Sequence, residues 1–338
     1  MYELKKINSI KVSNFLIYEN DIYIYNEFEK IIYKLKEDYN FEIFLQDSDL
    51  FYLSIQGNLI HIINNKFYNI AKQKVIFLRE VLFDEGDYLE CIGLNDSQVI
   101  LKNFKKDGTL EMYKVNEDLH TVSRINYIGN VFLIIDNVSI ELYEGGIQIV
   151  NILFGKKILK HSYSELTGSN KANLHSQVLN SDSKLFFVIT GNDKKGLFAL
   201  DIETGDVLKK FDNLCYEIFK DGGYIYTTKF ENILCRINTR TLELEEWDCN
   251  ALIVKNDFHS IHDHRCNVID GKFCFTQSLG DNKSKLGVLD WKKKELVYKY
   301  NFEPDNGAIG SIQVNNTRMF VHTQDNTLHI FEKEEKSI

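Results

Sequence analysis

The feature that most constrains this chain is a strand–strand–turn–strand phrase that returns along its second half. Its clearest copy runs through Leu185–Thr190, then Gly196–Ile202, an Asp-bearing Glu203-Thr204-Gly205-Asp206 turn, and Val207–Phe211. It returns as Tyr224–Lys229, Ile233–Asn238 and Leu242–Trp247, then as Lys272–Gln277, Leu286–Trp291 and Glu295–Tyr300. The last copy has Gly310–Val314, Met319–Thr323 and Thr327–Glu332, with no fourth strand after it. A short four-stranded sheet cannot bury both of its faces alone, so a chain made of such copies must pack each against its neighbours.

Aligned on the polar residue that ends the strand before the turn, Asp201, Asn238, Asp290 and Glu332 correspond, and upstream Asn116 and Lys36 take the same place. Two weaker copies, Leu50–Ile70 and Val131–Val150, fit between them. The period of roughly 42 residues is that of propeller blades, and 36–332 leaves room for about seven intervals. The expectation is an all-β β-propeller forming one domain over 1–338, with about eight blades and seven as the alternative. Because the last copy is a strand short, the N-terminal stretch Tyr2–Ile7 is expected to supply that strand and close the ring. The polar stretch Gly155–Ala172 breaks the rhythm and is expected to be a rim loop, or one short helix, inserted at 155–172.

Composition agrees with strands. Aromatics reach 13%, and such residues suit a pleated, half-buried surface. With Pro304 the only proline, turns must rely on pairs such as Asp107-Gly108, Asp221-Gly222 and Asp270-Gly271. A net charge of −9 with no basic patch argues against nucleic acid and fits solubility or a basic protein partner. The opening Met1–Lys6 has no apolar signal core, and no run is long enough to span a bilayer, so a cytoplasmic protein, acting as a monomer away from membranes, is expected. The six cysteines, Cys91, Cys215, Cys235, Cys249, Cys266 and Cys274, are scattered and read as free thiols.

The segment "GLFALDIETGDVLKKF" (Gly196–Phe211) resembles the repeat of the pyrroloquinoline-quinone-like propellers, with its Leu-Asp, Thr-Gly turn and closing strand. WD-type propellers are a more distant likeness, since no Gly-His…Trp-Asp pairs occur. The resemblance covers about 173–334 and implies fold rather than function. The family's quinone enzymes carry a vicinal cysteine pair, a tryptophan-rich docking motif and carboxylate calcium ligands. None maps here, so no cofactor is expected. The tail "MFVHTQDNTLHIFEKE" (Met319–Glu334) looks like the ends of bacterial propellers found among toxin-immunity proteins.

One cluster has ligand chemistry: His259, His262, His264 and Cys266 in "FHSIHDHRC". On an extended strand His262, His264 and Cys266 would share one face, and on an innermost strand that face or the opposite one would approach the channel, but neighbours two apart stand roughly 7 Å from each other, too wide for a tetrahedral zinc site without other elements. These residues are therefore expected to be structural, with metal binding as the alternative. Acidic groups at Asp47/Asp49, Asp84/Glu85/Asp87 and Glu243/Glu245/Glu246 are expected on a solvated rim, where they could attract a basic partner. No nucleophile elbow, phosphate loop or HExxH is present, and the polar hairpin Gly280–Leu286 lacks nucleotide-site spacing. No catalytic residue is assigned. The expected function is a non-enzymatic protein-binding propeller, with an immunity protein that neutralises a secreted toxin as its narrower form. The alternatives are an enzyme or ligand/metal-binding propeller with a channel site near His262/His264, and a general scaffold.

Overall fold

A computed structural model describes residues 4–333 except 13, 19–20, 51–52, 54, 57–58, 64–65, 78–86, 96–97, 117–121, 126–130, 136–137, 144, 152–155, 176, 192–195, 215, 263–264, 280–282 and 316–317. Its contacts gather into two compact units, Ser13–Ser162 and Met1–Val12 with Tyr163–Ile338. Among the described residues the first unit holds four antiparallel four-stranded sheets, at 14–46, 55–77, 88–125 and 131–162. The second holds sheets at 173–212, 219–248 and 266–301, and a fourth in which Ile309–Val314, Arg318–Thr323 and Thr327–Lys333 are joined by Leu4–Lys11. We number the sheets one to eight by position in the chain. The fifth carries one extra short strand.

Burial explains the composition of each strand. In the fifth sheet Leu185–Ile189 and Leu197–Leu200 are buried on both faces, while in the outermost strand, Val207–Asp212, only Phe211 is buried. Inner strands therefore read as continuous apolar runs and outer ones as polar edges. Side chains from successive sheets merge: Phe186, Val188 and Phe211 pack with Ile225 and Ile237, and Phe273 and Phe275 with Leu234. Cys274 and Val288 pack with Met319 and Phe331. In the first unit Tyr23 and Ile32 pack with Ile60 and Ile62, and Phe67 with Val99 and Leu101.

The turn chemistry repeats as closely as the strands. Oδ1 of Asp201 accepts N–H bonds from Glu203 and Thr204, Oδ1 of Asn238 from Arg240 and Thr241, and Oδ1 of Asp290 from Lys293. This is why the polar residue sits there: it closes the turn with its own side chain. Asn69 holds the same place in the second sheet, bonding Lys72 N. In the fifth and seventh sheets the outer strand that follows has a register shift beside this turn, and the outer strands of the first and fourth sheets carry one as well. Such bulges increase local twist and blunt an exposed edge.

The segment 155–172 departs from expectation in its first part and carries the expected short helix in its second. Lys156–Ser162 is not a loop but the outer strand of the fourth sheet, paired with Gly146–Asn151, and Tyr163–Thr167 forms a short helix. Its lysines made it look like an insertion, yet an edge strand with one solvated face tolerates them. Gly155 lies outside the described residues. Among the described residues no helix is long and apolar enough to cross a membrane. Cys235, Cys249, Cys266 and Cys274 are free thiols, and burial pushes Cys235, Cys249 and Cys274 up to about 12; Cys215 and the Cys91 side chain fall outside the description.

The N-terminal strand was expected to meet the last one, and it does. Leu4–Lys11 runs antiparallel to Thr327–Lys333, from Leu4 opposite Lys333 to Lys11 opposite Thr327, and Val12 N–H donates to Asn326 O at 2.8 Å. A polar network sits beneath. Lys11 Nζ reaches Asp325 at 2.6 Å, Thr323 and Thr327 hydroxyls donate to the same carboxylate, and the buried His329 ring lies 3.0 Å from Thr323 Oγ1 and 3.3 Å from Ser9 Oγ.

Burial, reinforced by the Lys6 charge, pushes the His329 imidazole from 6.5 down to about 4. The folded protein therefore binds this proton less readily than the unfolded chain. The neutral ring's full contribution is present above 6.5 and is lost as pH falls from 6.5 through 4, roughly 3 kcal/mol at 1.36 kcal/mol per pH unit. The Asp325 carboxyl is pushed up by burial, but hydrogen bonds from Lys11, Thr327, Thr323 and Asn306 outweigh that and hold it well below the usual range. Its share is lost only at still lower pH. Thermal melts across pH 7.5 to 4 should show a decline of about 4 °C, at about 1.4 °C per kcal/mol for a chain of this length. In His329→Gln the decline in that window should disappear; an unchanged slope would remove His329 as its cause.

Candidate functional site

The predicted His/Cys cluster begins in a turn, not a strand. After the outer strand of the sixth sheet a short helix, Asn250–Lys255, reverses the chain, and 258–262 is a bend; the seventh sheet begins only at Cys266. The alternation that would have aligned His262, His264 and Cys266 therefore does not apply. His259 is exposed, and its backbone N–H donates to Gln277 Oε1 at 2.7 Å. His264 lies outside the described residues. His262 and Cys266 do come together, because both line one cavity.

The bend is held at many points. Phe258 is buried against Phe275, with ring centres 4.8 Å apart. Lys285 Nζ binds Asp257 O at 2.7 Å and Lys299 Nζ binds Asn256 O at 2.6 Å. The central node is Asn232, 5% exposed and at φ 60°. Its Nδ2 donates to Asn250 Oδ1 and to His259 O, both at 3.1 Å, and its Oδ1 accepts Ile261 N–H at 3.0 Å. Asn is suited to this backbone because a short polar side chain tolerates the left-handed region. One amide thus ties together the 230–232 turn, the short helix and the bend.

Behind the bend is a cavity of about 410 Å³, lined by His175, Tyr216, Glu217, His262, Arg265 and Cys266 with apolar Phe219 and Phe273 beneath. It shares His175, Glu217, Phe219, Arg265 and Cys266 with a second lobe of about 650 Å³. That lobe adds Lys220, Asn267 and the start of the eighth sheet at Gly310–Ile312. The walls are thus the first strands, and their entry segments, of the fifth to eighth sheets. Several wall groups are already committed. Gln177 Nε2 donates to Ile218 O and Asn267 Nδ2 to Ile312 O, each at 3.2 Å, and Cys266 Sγ lies 3.4 Å from Ile261 O. At the mouth His262 lies against Tyr216, ring centres 4.4 Å apart, with Phe230 edge-on at 5.8 Å. Phe230 is 58% exposed, and on the adjoining short helix Val254 is 63% exposed.

The proposed acidic rim groups are mostly paired. Asp47 and Asp49 both bind Lys66 at 2.8 Å, Glu245 takes Arg236, and Glu246 takes Lys229. Asp84, Glu85 and the 280–282 turn lie outside the described residues. Among the described residues no group of three His, Cys, Asp or Glu is placed to hold a metal ion. His175, Glu217 and Arg265 were not found from sequence. They stand far apart along the chain in unremarkable contexts, and the only available signal was their position at the start of successive copies.

No protein-family model matches the chain, and no curated protein matches it. Among solved structures it is similar to BamB from Moraxella catarrhalis, with TM-score 0.59, 10% identity, and 98% of this chain and 100% of that chain covered. It is likewise similar to the computationally designed protein Ika8, with TM-score 0.58, 12% identity and 95% and 96% covered. A third is Sqt1 of Saccharomyces cerevisiae, with TM-score 0.57, 10% identity and 99% and 98% covered. BamB and Sqt1 are β-propellers, so the chain has a β-propeller-type repeat fold.

Proposed function

We propose that the chain is a protein-binding propeller of eight blades, non-enzymatic, cytoplasmic and monomeric, with its ring closed by the N-terminal strand. The blade count is supported by the eight sheets, and the closure by the pairing of Leu4–Lys11 with Thr327–Lys333. The observation that carries the binding role is the exposed pair Phe230 and Val254, on the 230–232 turn and the short helix that the Asn232 amide ties together. Exposed apolar side chains on a fixed, polar-rimmed scaffold are how interaction surfaces are built. The non-enzymatic reading rests on the cavity's amides and thiol being engaged in holding its walls. The net charge of −9 favours encounter with a basic partner at long range. The narrower form, an immunity protein that neutralises a secreted bacterial toxin, rests on the resemblance of the 319–334 tail.

The test is affinity capture with wild type and with Phe230→Asp/Val254→Asp from the native host. The doublet should lose the partner while melting as the wild type does, because both side chains are exposed. Capture of no partner by wild type, or an identical set from both, would sink this reading. A captured toxin would establish the immunity form; any other partner would end it.

A further inference from the structure

The cavity wall has a charge balance opposite to that of the chain. The chain carries −9, yet around the two lobes stand the Arg265 guanidinium, the Lys220 ammonium and the His175 and His262 imidazoles, against one carboxylate, Glu217. Elsewhere some cations are matched, Lys66, Lys229, Arg236 and Arg318 each binding a carboxylate, and others, such as Lys209 and Lys299, rest on backbone oxygens. Among the described residues Arg265 and Lys220 have no such partner. Lys220 Nζ is instead held by the backbone oxygen of Asn180 at 2.9 Å, which orients the charge without neutralising it. Two cations without a carboxylate partner, beside the apolar Phe219, attract an entering anion.

We infer that this cavity receives an acidic peptide segment of the protein partner, its carboxylates set against Arg265 and Lys220 and an apolar neighbour lying on Phe219 and Tyr216. This rests on the protein-binding reading. The overall negative charge does not oppose it, because charges beyond about 8–10 Å are screened at physiological salt, so a segment in contact with Arg265 and Lys220 responds mainly to those two. Size and shape favour a peptide over a compact anion. Two connected lobes of about 410 and 650 Å³ accommodate more than one side chain. The Gln177 and Asn267 amides, which would otherwise encircle a small oxyanion, are bonded to Ile218 O and Ile312 O.

The experiment is an NMR titration of the full chain with ¹³C-labelled histidine rings, reading His175 and His262. Three probes are used: acetyl-Glu-Trp-Asp-Glu-amide, its uncharged counterpart acetyl-Gln-Trp-Asn-Gln-amide, and inorganic phosphate. The acidic peptide should shift both rings and bind at least about tenfold more tightly than the uncharged one. Lys220→Glu/Arg265→Glu should abolish binding with an unchanged melting temperature, since both side chains are exposed, and Glu217→Gln should tighten it. Equal binding of the two peptides, or binding indifferent to the double reversal, would overturn the inference. So would phosphate binding without peptide binding, which would mark a small-anion site. Retention of the captured partner through Phe230 and Val254 in any of those cases would leave the protein-binding reading standing, so the two failures are separable.

Discussion

Removal of residues 1–11 should lower the melting temperature by roughly 7 °C, far more than the fraying of a terminus would. The lost strand pairs residue by residue with Thr327–Lys333, and Lys11 leaves Asp325 without its cation. At about 1 kcal/mol for each backbone hydrogen bond, the loss is on the order of 5 kcal/mol, and an unfolding entropy of about 2.1 cal/mol/K per residue makes a chain of 338 residues shift by about 1.4 °C per kcal/mol. The effect should spread because the abandoned strand is anchored in the core: Leu328, Ile330 and Phe331 are fully buried, and Phe331 packs with Met319 and Val288 from two sheets. The opened edge is also a template for pairing with another chain, so the truncated protein should self-associate in size-exclusion chromatography. A synthetic peptide of residues 1–12 added in trans should restore melting and monomer. A truncated protein that melts within about 1 °C of the full chain would show that the strand is an appendage, since that corresponds to less than about 1 kcal/mol.

Asn232→Ala is expected to destabilise by about 3–5 kcal/mol, an unusual size for one small polar residue. The change leaves the buried Ile261 N–H and the His259 carbonyl without their partner, at about 1–3 kcal/mol each, and places a Cβ-bearing apolar residue at φ 60°, about 1 kcal/mol more. Two further variants separate these contributions. Asn232→Gly keeps the backbone freedom and should recover only the strain. Asn232→Asp keeps the acceptor for Ile261 N–H and should recover part of the hydrogen bonding. Because the same amide fixes the 230–232 turn and the bend carrying His262, all three should also broaden the His262 ring resonance, whereas a residue that only filled space would change stability alone. Denaturant melts with that NMR readout check both. A loss under about 1 kcal/mol would mean that water or a neighbour replaces Asn232, and that the bend is held by Lys285, Lys299 and Gln277 instead.

How much of this was legible in the residues depends on the range of the interaction responsible. Strand, turn and period come from neighbours in the chain. The run 185–189 is apolar because its strand is buried on both faces, and Asp201, Asn238 and Asp290 end their strands because an Asx side chain closes the turn that follows. Asn69, which holds the same place in the second sheet, was passed over because its copy is shorter and its flanks less regular. The missing fourth strand of the last copy was a matter of counting, and it located the partner of Leu4–Lys11.

The amino-acid sequence by itself thus determined an all-β chain of repeated antiparallel units whose first strand completes the last sheet, since alternation, turn chemistry and strand count are local properties. Only the tertiary structure decided the site. His262 and Cys266 were conspicuous by type, but the bend that brings them together depends on Asn232, thirty residues before His262, and the residues that give the cavity its charge stand at the starts of three sheets, His175 in the fifth, Glu217 and Lys220 at the sixth and Arg265 before the seventh. The packing of one sheet against the next makes them neighbours, and that proximity has no counterpart in their spacing along the chain.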